Sequence, residues 1–456
     1  MSRSRIVPLR RPSDGLVARL ALIDAAERTL ELQYYLWDSD AVGYLLLSRL
    51  IAAADRGVSV RLLVDDLKLR SRTRSIASLC LHPNIEVRVF NPFGNRSNAA
   101  AQALEFVRRF ARLDQRMHNK LLVADNERAI FGGRNIAAEH FGLGDEFNLV
   151  DYDLLLSGVE ASDLSHVFET YWESPFSVSG AALDESVSDA DLGAVRALVA
   201  EEVEKGTPTL ATVLADESAW DSRVRSISIQ LGEDTFGVVS DTPEVSQGTQ
   251  PAQVVEALRR EVDRARRDLV VATPFFVPAD TDVEWYQRIV DRGVRVRILT
   301  NSLASNQGTI SNSGLNKQRL AVVNAGVELH ELRTDAAAKS EWETPPQVAR
   351  YLGLHAKLYA IDRERVFLGS VNLDPRSKFV NTEMGVLVHN AELAEVTADA
   401  IIRLMTPENA WQVEIGPNDR LQWRNDTETL SRQPARGAGQ RLADRFYSLL
   451  PIREYI

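Results

Sequence analysis

The segment Asp55-Arg-Gly-Val-Ser-Val-Arg-Leu-Leu63 returns as Asp291-Arg-Gly-Val-Arg-Val-Arg-Ile-Leu299, 236 positions further on. A second pair, His118-x-Lys120-x4-Asp125 and His355-x-Lys357-x4-Asp362, repeats at 237. Separate segments that recur at nearly the same spacing imply one domain duplicated and fused. Whatever fold the first half adopts, the second must adopt as well.

Each half opens with apolar residues at helical period: Leu16, Leu20 and Ile23 in the first, Val255, Leu258 and Val262 in the second. A strand follows, Leu30-Glu-Leu-Gln-Tyr-Tyr-Leu36 or Leu269-Val-Val-Ala-Thr-Pro-Phe-Phe276. Next come a helix with its stop signal at Gly57 or Gly293 and a Val/Ile/Leu-rich strand. This alternation predicts an α/β layer fold with mostly buried strands. At 456 residues the chain exceeds the size at which one core stops growing. The expected division is a first domain over 1–176, an acidic connector over 177–222 and a second domain over 223–456. The connector is expected to be partly helical, interrupted at Gly206-Thr-Pro208, and partly mobile.

Composition narrows the setting. A net charge of −11 opposes wholesale wrapping of nucleic acid. The single cysteine, Cys80, excludes an intrachain disulfide or a cysteine-based metal site and fits a reducing, cytoplasmic setting. The basic start, Met1-Ser-Arg-Ser-Arg5, lacks the apolar run of a signal peptide, and no stretch has the length of a membrane span, so any membrane contact is expected to be peripheral.

The chemistry lies in the second repeat. His118-Asn-Lys-Leu-Leu-Val-Ala-Asp125 is followed after six residues by Gly132-Gly-Arg-Asn135, and His355-Ala-Lys-Leu-Tyr-Ala-Ile-Asp362 by Gly369-Ser-Val-Asn372. Alternate strand positions share a face, so His118 points with Lys120 and His355 with Lys357. Phosphodiester cleavage needs a nucleophile, cations or donors for the non-bridging oxygens, and an acid for the departing alkoxide. The histidines supply nucleophile and acid, the lysines charge, and Asn135 and Asn372 amide donors. Gly132 and Gly369 are expected to let backbone approach the phosphate. Composition alone yields such a His-x-Lys-x4-Asp in about one chain in a hundred. Two copies with matching glycine and asparagine offsets are far rarer.

Asp125 and Asp362 complete the motif, but each closes an apolar strand where a turn is expected, and Asp there commonly bonds local backbone. Asp151 and Glu383, at comparable points after each motif, are better placed to orient the histidines. A carboxylate accepting from one ring nitrogen fixes the tautomer and frees the other nitrogen for phosphorus. The competing reading makes them ordinary polar strand ends. His82, His140, His166, His330 and His389 form no recognisable constellation.

At these residues the chain resembles the phospholipase D superfamily and, more narrowly, bacterial cardiolipin synthases of the C type. The narrower likeness rests on Gly132-Gly-Arg-Asn-Ile136, on Gly369-Ser-Val-Asn-Leu-Asp-Pro-Arg-Ser377 with Asn381-Thr-Glu-Met384, on Asp24-Ala-Ala-Glu27 leading into Gln33-Tyr-Tyr-Leu-Trp37, and on Trp411 through Ser448-Leu-Leu-Pro-Ile452. The resemblance implies two α/β sandwich domains about a pseudo-twofold with the active site at their interface. It implies ping-pong chemistry without metal or other cofactor, His118 as nucleophile forming a phosphohistidine and His355 as general acid/base. Gly133 against Ser370, and Asp151 against Glu383, make the halves chemically unequal.

The motif names a reaction and not a substrate. The expected activity is phosphatidyl transfer that makes cardiolipin from phosphatidylglycerol and a second phospholipid, at the inner face of the cell membrane and without nucleic acid as partner. The alternative is a phosphodiesterase that hydrolyses phospholipid or nucleic acid. The tail Arg441-Leu-Ala-Asp-Arg-Phe-Tyr-Ser-Leu-Leu450 reads as an amphipathic helix, either on an anionic membrane or, as terminal helices more often are, packed on the body. Tyr34, Tyr35, Trp37, Phe275 and Phe276 line either an acyl-chain groove or the core.

Overall fold

The computed structural model describes residues 4–96, 104–106, 108–233, 235–244 and 252–449. Leu450 and the residues after it, the end of the expected C-terminal helix, lie outside them.

Two large sheets carry the duplication. The first runs in the order Ile229–Gln230, Arg5–Leu9, Asp153–Ser157, Arg128–Gly132, Lys120–Ala124, Thr29–Tyr34, Ser59–Asp65, Ile85–Phe90, Ser177–Ser179. The second runs Phe236–Ser240, Met384–His389, Arg365–Gly369, Leu358–Ile361, Asp268–Ala272, Arg295–Asn301, Glu328–Leu332, Ala410–Ile415, Leu421–Arg424, Thr429–Leu430. From Asp153–Ser157 to Ile85–Phe90 the first order matches the second from Met384–His389 to Glu328–Leu332, including a central parallel pair. The central strands are largely buried because helices or the opposite half cover them, while edge strands such as Phe236–Ser240 and Leu421–Arg424 are half-exposed.

The motif strands are built alike. Lys120–Ala124 and Leu358–Ile361 each turn into the next antiparallel strand through two consecutive left-handed residues, Asp125 and Asn126 or Asp362 and Arg363, all with φ between 56° and 59°. One core runs through both halves, joining Leu121, Phe131 and Phe168 with Val270, Leu368 and Val386. Each half also has an outer core between its sheet and its own helices.

The connector is more structured than the composition of 177–222 implies. Ser177–Ser179 adds to Ile85–Phe90, and one helix runs unbroken from Asp189 to Asp216, with Pro208 inside it. Val195, Val199, Leu210 and Val213 are buried against the first half, and that packing outweighs the proline's cost. Gly206 is a contact point and not a break, since a Cβ there would meet Ala41 at 2.9 Å. Ile229–Gln230 then pairs with Arg5–Leu9, so the first unit extends beyond residue 222.

The C-terminal helix, Ala438–Leu449, reverses the expected packing. Its polar side faces the body: Asp444 is buried and accepts from Asn312 (2.9 Å) and Asn316 (2.7 Å). Leu442, Phe446 and Leu449 point outward, 71%, 58% and 79% exposed. Among the described residues no helix is long and apolar enough to cross a membrane.

Candidate active site

The halves exchange backbone beside each histidine. Tyr351–Leu354 runs parallel to Phe147–Val150 of the first half, and the His355 N–H donates to the Val150 carbonyl at 2.8 Å. Met117 bridges Thr382, and the His118 N–H donates to the Thr382 carbonyl at 2.9 Å. Each registration stops one residue short of the opposite half's carboxylate. His118 Nδ1 therefore lies 2.9 Å from Glu383 Oε2, and His355 Nδ1 lies 2.7 Å from Asp151 Oδ2. Both carboxylates named from the sequence reach the site, each serving the histidine of the other half.

The two motifs share one buried electrostatic environment. Burial is the main cause that holds His118 well below the ordinary imidazole range, with Lys120 and then Lys357 of the other half adding to it. Burial also lowers both lysines, Lys357 to about 8. Each lysine donates to the carbonyl of its own histidine, and Lys357 Nζ lies 3.0 Å from His355 Nδ1. Tyr35 stands edge-on to His118 at 4.9 Å and under Lys120 at 5.2 Å.

The carboxylates differ in state. Burial pushes Glu383 up to about 7 against the pull of Lys120 and of hydroxyls from Ser370 and Ser377. Burial also raises Asp151, but His355 and His140 outweigh it and hold that carboxyl well below its ordinary value. Asp151 is thus a firm anion, whereas Glu383 titrates near neutrality.

Several expected site residues have other neighbours. Asp125 accepts from the N–H groups of Glu27, Arg28 and Thr29, and Asp362 from those of Arg266, Arg267 and Asp268. Both stand beyond the far ends of their strands, so the structure does not bring them to the histidines. A Cβ on Gly132 would meet Tyr152 O at 2.5 Å, and one on Gly369 would meet Met384 O at 2.4 Å. These glycines admit the neighbouring strand, not phosphate. A Cβ at Gly133 would meet Asp151 Oδ1 at 2.0 Å, while the Ser370 hydroxyl donates to Glu383. Asn135 and Asn372 are buried, and the Oδ1 atom of each lacks a partner.

The sequence reading missed His140 and Ser377. His140 Nδ1 lies 2.9 Å from Asp151 Oδ2, its ring stands edge-on to His355 at 4.6 Å, and Asn135 Nδ2 is 3.3 Å from its Nε2. Ser377 donates to Glu383 at 2.7 Å and accepts from the Asn372 N–H. The repeat carried the signal, since the two positions lie 237 apart, as the motif histidines do.

Two α/β halves that bring a His-x-Lys pair each to one interface define a duplicated phospholipase D-like enzyme. The family described as "Cardiolipin synthase, PLD-like domain" matches residues 20–172 and 258–405, and the chain belongs to it. It is 32% identical to cardiolipin synthase C of Escherichia coli strain K12 over 458 residues, which covers 98% of this chain and 95% of that protein. It is 24% identical to cardiolipin synthase A of Yersinia pestis over 91% of this chain and 72% of the relative. Among solved structures, phosphatidylserine synthase of Haemophilus influenzae shares the fold, with a TM-score of 0.63 at 13% identity over 99% of this chain and 95% of that one.

Proposed function

We propose that this chain is a phosphatidyltransferase that makes cardiolipin from phosphatidylglycerol and a second phospholipid through a phosphohistidine. The observation that carries the reading is the crossed pairing of His118 with Glu383 and His355 with Asp151 around two buried lysines. In the first step His118 Nε2 attacks phosphorus, the bond to the leaving alkoxide breaks, and His355 gives that oxygen its proton. In the second, His355 takes the proton of the acceptor hydroxyl, whose oxygen attacks phosphorus and releases His118. Lys120, Lys357, Asn135 and Asn372 stabilise the phosphoryl oxygens.

The roles are carried over from the family resemblance, and the carboxylate partners fit them. Burial and both lysines keep His118 neutral, as a nucleophile requires. Burial and Lys357 hold His355 below the ordinary imidazole range as well, but the anionic Asp151 opposes them there, which favours His355 as the group that must carry a proton. Membrane association belongs to the same reading. The outward Leu442, Phe446 and Leu449, with exposed Arg441 and Arg445, fit a helix lying on an anionic surface.

The test supplies phosphatidylglycerol vesicles, with and without phosphatidylethanolamine, and identifies products by mass spectrometry. Cardiolipin is expected. Phosphatidic acid as the only product would make the chain a hydrolase.

A further inference from the structure

The outer cores of the two halves are filled differently at one place. In the first half Arg19, Arg134 and Asp153 form a fully buried ionic cluster, with Arg19 Nη2 2.9 Å and Arg134 Nη1 3.1 Å from Asp153 Oδ2. Their counterparts follow from strand register. Gly132 pairs with Asp153 as Gly369 pairs with Gly385, so Gly385 stands for Asp153, and Val371 stands for Arg134 two residues beyond the motif glycine. The helix register set by Leu16 with Val255 and Ile23 with Val262 puts Leu258 where Arg19 is. All three charged residues are replaced by apolar ones or by glycine.

The Phe367 ring fills the space at Gly385, and the counterparts of the two arginines, Leu258 and Val371, line an apolar cleft. It is a narrow cleft open to solvent, with Leu258, Val262, Phe276, Tyr286 and Val371 in its walls. Tyr359 in the wall belongs to the strand Leu358–Ile361 and lies two residues after Lys357. Asn372 of the motif also lines the cleft, and two buried polar atoms there, Asn372 Oδ1 and the Tyr359 hydroxyl, have no partner. Lys378 and Arg259, both paired with Asp282, line it as well. The carboxylates of Asp282 and Asp374 line the cleft beside the two cations, so the charges balance and what distinguishes it is its apolar wall, with Asn372 at its edge, which suits a hydrocarbon chain.

We propose that this cleft is an acyl-chain subsite, taking one hydrocarbon chain of the phospholipid whose phosphodiester is held at the paired histidines. The inference rests on the lipid reading above and adds an asymmetry to it: at this place the second half has apolar residues where the first has buried charges, while the apolar cleft of the first half lies elsewhere, between Leu47, Val64 and Val199.

Photo-crosslinking on the unmodified full chain tests it directly. Phosphatidylglycerol with a diazirine near the end of one acyl chain, presented in mixed micelles, is expected to label the peptides containing Leu258 and Val262 or Trp285 and Tyr286. Label confined to other peptides, such as the helix Ala438–Leu449, would overturn the proposal. In a second arm, Ala279→Phe narrows the cleft at the start of the helix Asp280–Asp291. The ratio of kcat/KM for dioleoyl over dihexanoyl phosphatidylglycerol is expected to fall about tenfold or more, the equivalent of two methylenes no longer buried. An unchanged ratio counts against the subsite. Labelling of the cleft without turnover of any lipid would remove the transferase reading and leave the subsite. Turnover without label in the cleft would do the reverse.

Discussion

His118 and Glu383 lie 265 positions apart in the chain, yet the ring Nδ1 of one is 2.9 Å from the carboxylate of the other. The contact is set by backbone, through the bond from His118 N–H to the Thr382 carbonyl. The reciprocal bond from His355 N–H to the Val150 carbonyl seats His355 beside Asp151. Neither half pairs its motif histidine with a carboxylate of its own.

The crossed pairs predict that turnover needs both carboxylates. Asp151→Asn and Glu383→Gln are each expected to lower kcat by about 10²–10⁴ while the fold persists, because an amide in place of the acceptor favours the wrong tautomer. Steady-state kinetics on lipid vesicles together with circular dichroism check this. A loss below about threefold would show that the carboxylates only shape the interface.

The motif aspartates are expected to act on stability alone. Asp362→Ala removes the acceptor for three backbone N–H groups and is expected to cost on the order of 2–4 kcal/mol in denaturant unfolding. The kcat of the folded variant is expected to stay within about threefold of the parent. A far larger fall in kcat, at conditions where the variant is folded, would return Asp362 to the chemistry.

Glu383 predicts a pH-dependent stability with a definite sign. Its carboxyl keeps its proton up to about 7 when folded, against an ordinary value of 4.5. The folded state binds more protons between those values, so the contribution is fully present below about 4.5 and is lost as pH rises through about 7. The difference in unfolding free energy between parent and Glu383→Gln should therefore change by on the order of 3 kcal/mol across that window, against the parent, and flatten above it. Buried His118 contributes the opposite trend in both proteins, losing stability as pH falls. Denaturant titrations from pH 4.5 to 8 supply both curves.

His140 shares Asp151 with His355 and packs against its ring, which makes it a positioning residue. His140→Ala is expected to lower kcat about 10–100-fold and to shift the pH limb assigned to His355, with little change in KM. An unmoved pH profile would leave only a packing role.

His140, Asp151 and His355 also bring ligand atoms within 4.8 Å of one another, a spacing that invites a cation. Lys357 lies 3.0 Å from His355 Nδ1 and opposes that charge. Turnover is expected to survive EDTA followed by gel filtration. Loss of turnover, restored by a divalent ion, would assign the metal a role.

Much of this protein was legible in one dimension because duplication writes itself at a fixed offset. The spacing of 236–237 identifies two copies of one α/β unit, and the strand period puts each histidine beside its lysine. The turn position of Asp125 and Asp362 already pointed to backbone bonding. What needed the third dimension was partnership across the interface, because non-local pairing leaves no period in the sequence. Only the fold decided that Glu383 serves His118 and Asp151 serves His355, and that His140, in isolation an ordinary histidine, joins the site. Tertiary packing likewise carried a helix through Pro208 and turned the apolar stripe of Ala438–Leu449 outward, since burial of Asp444 with its asparagine partners fixes which face meets the body.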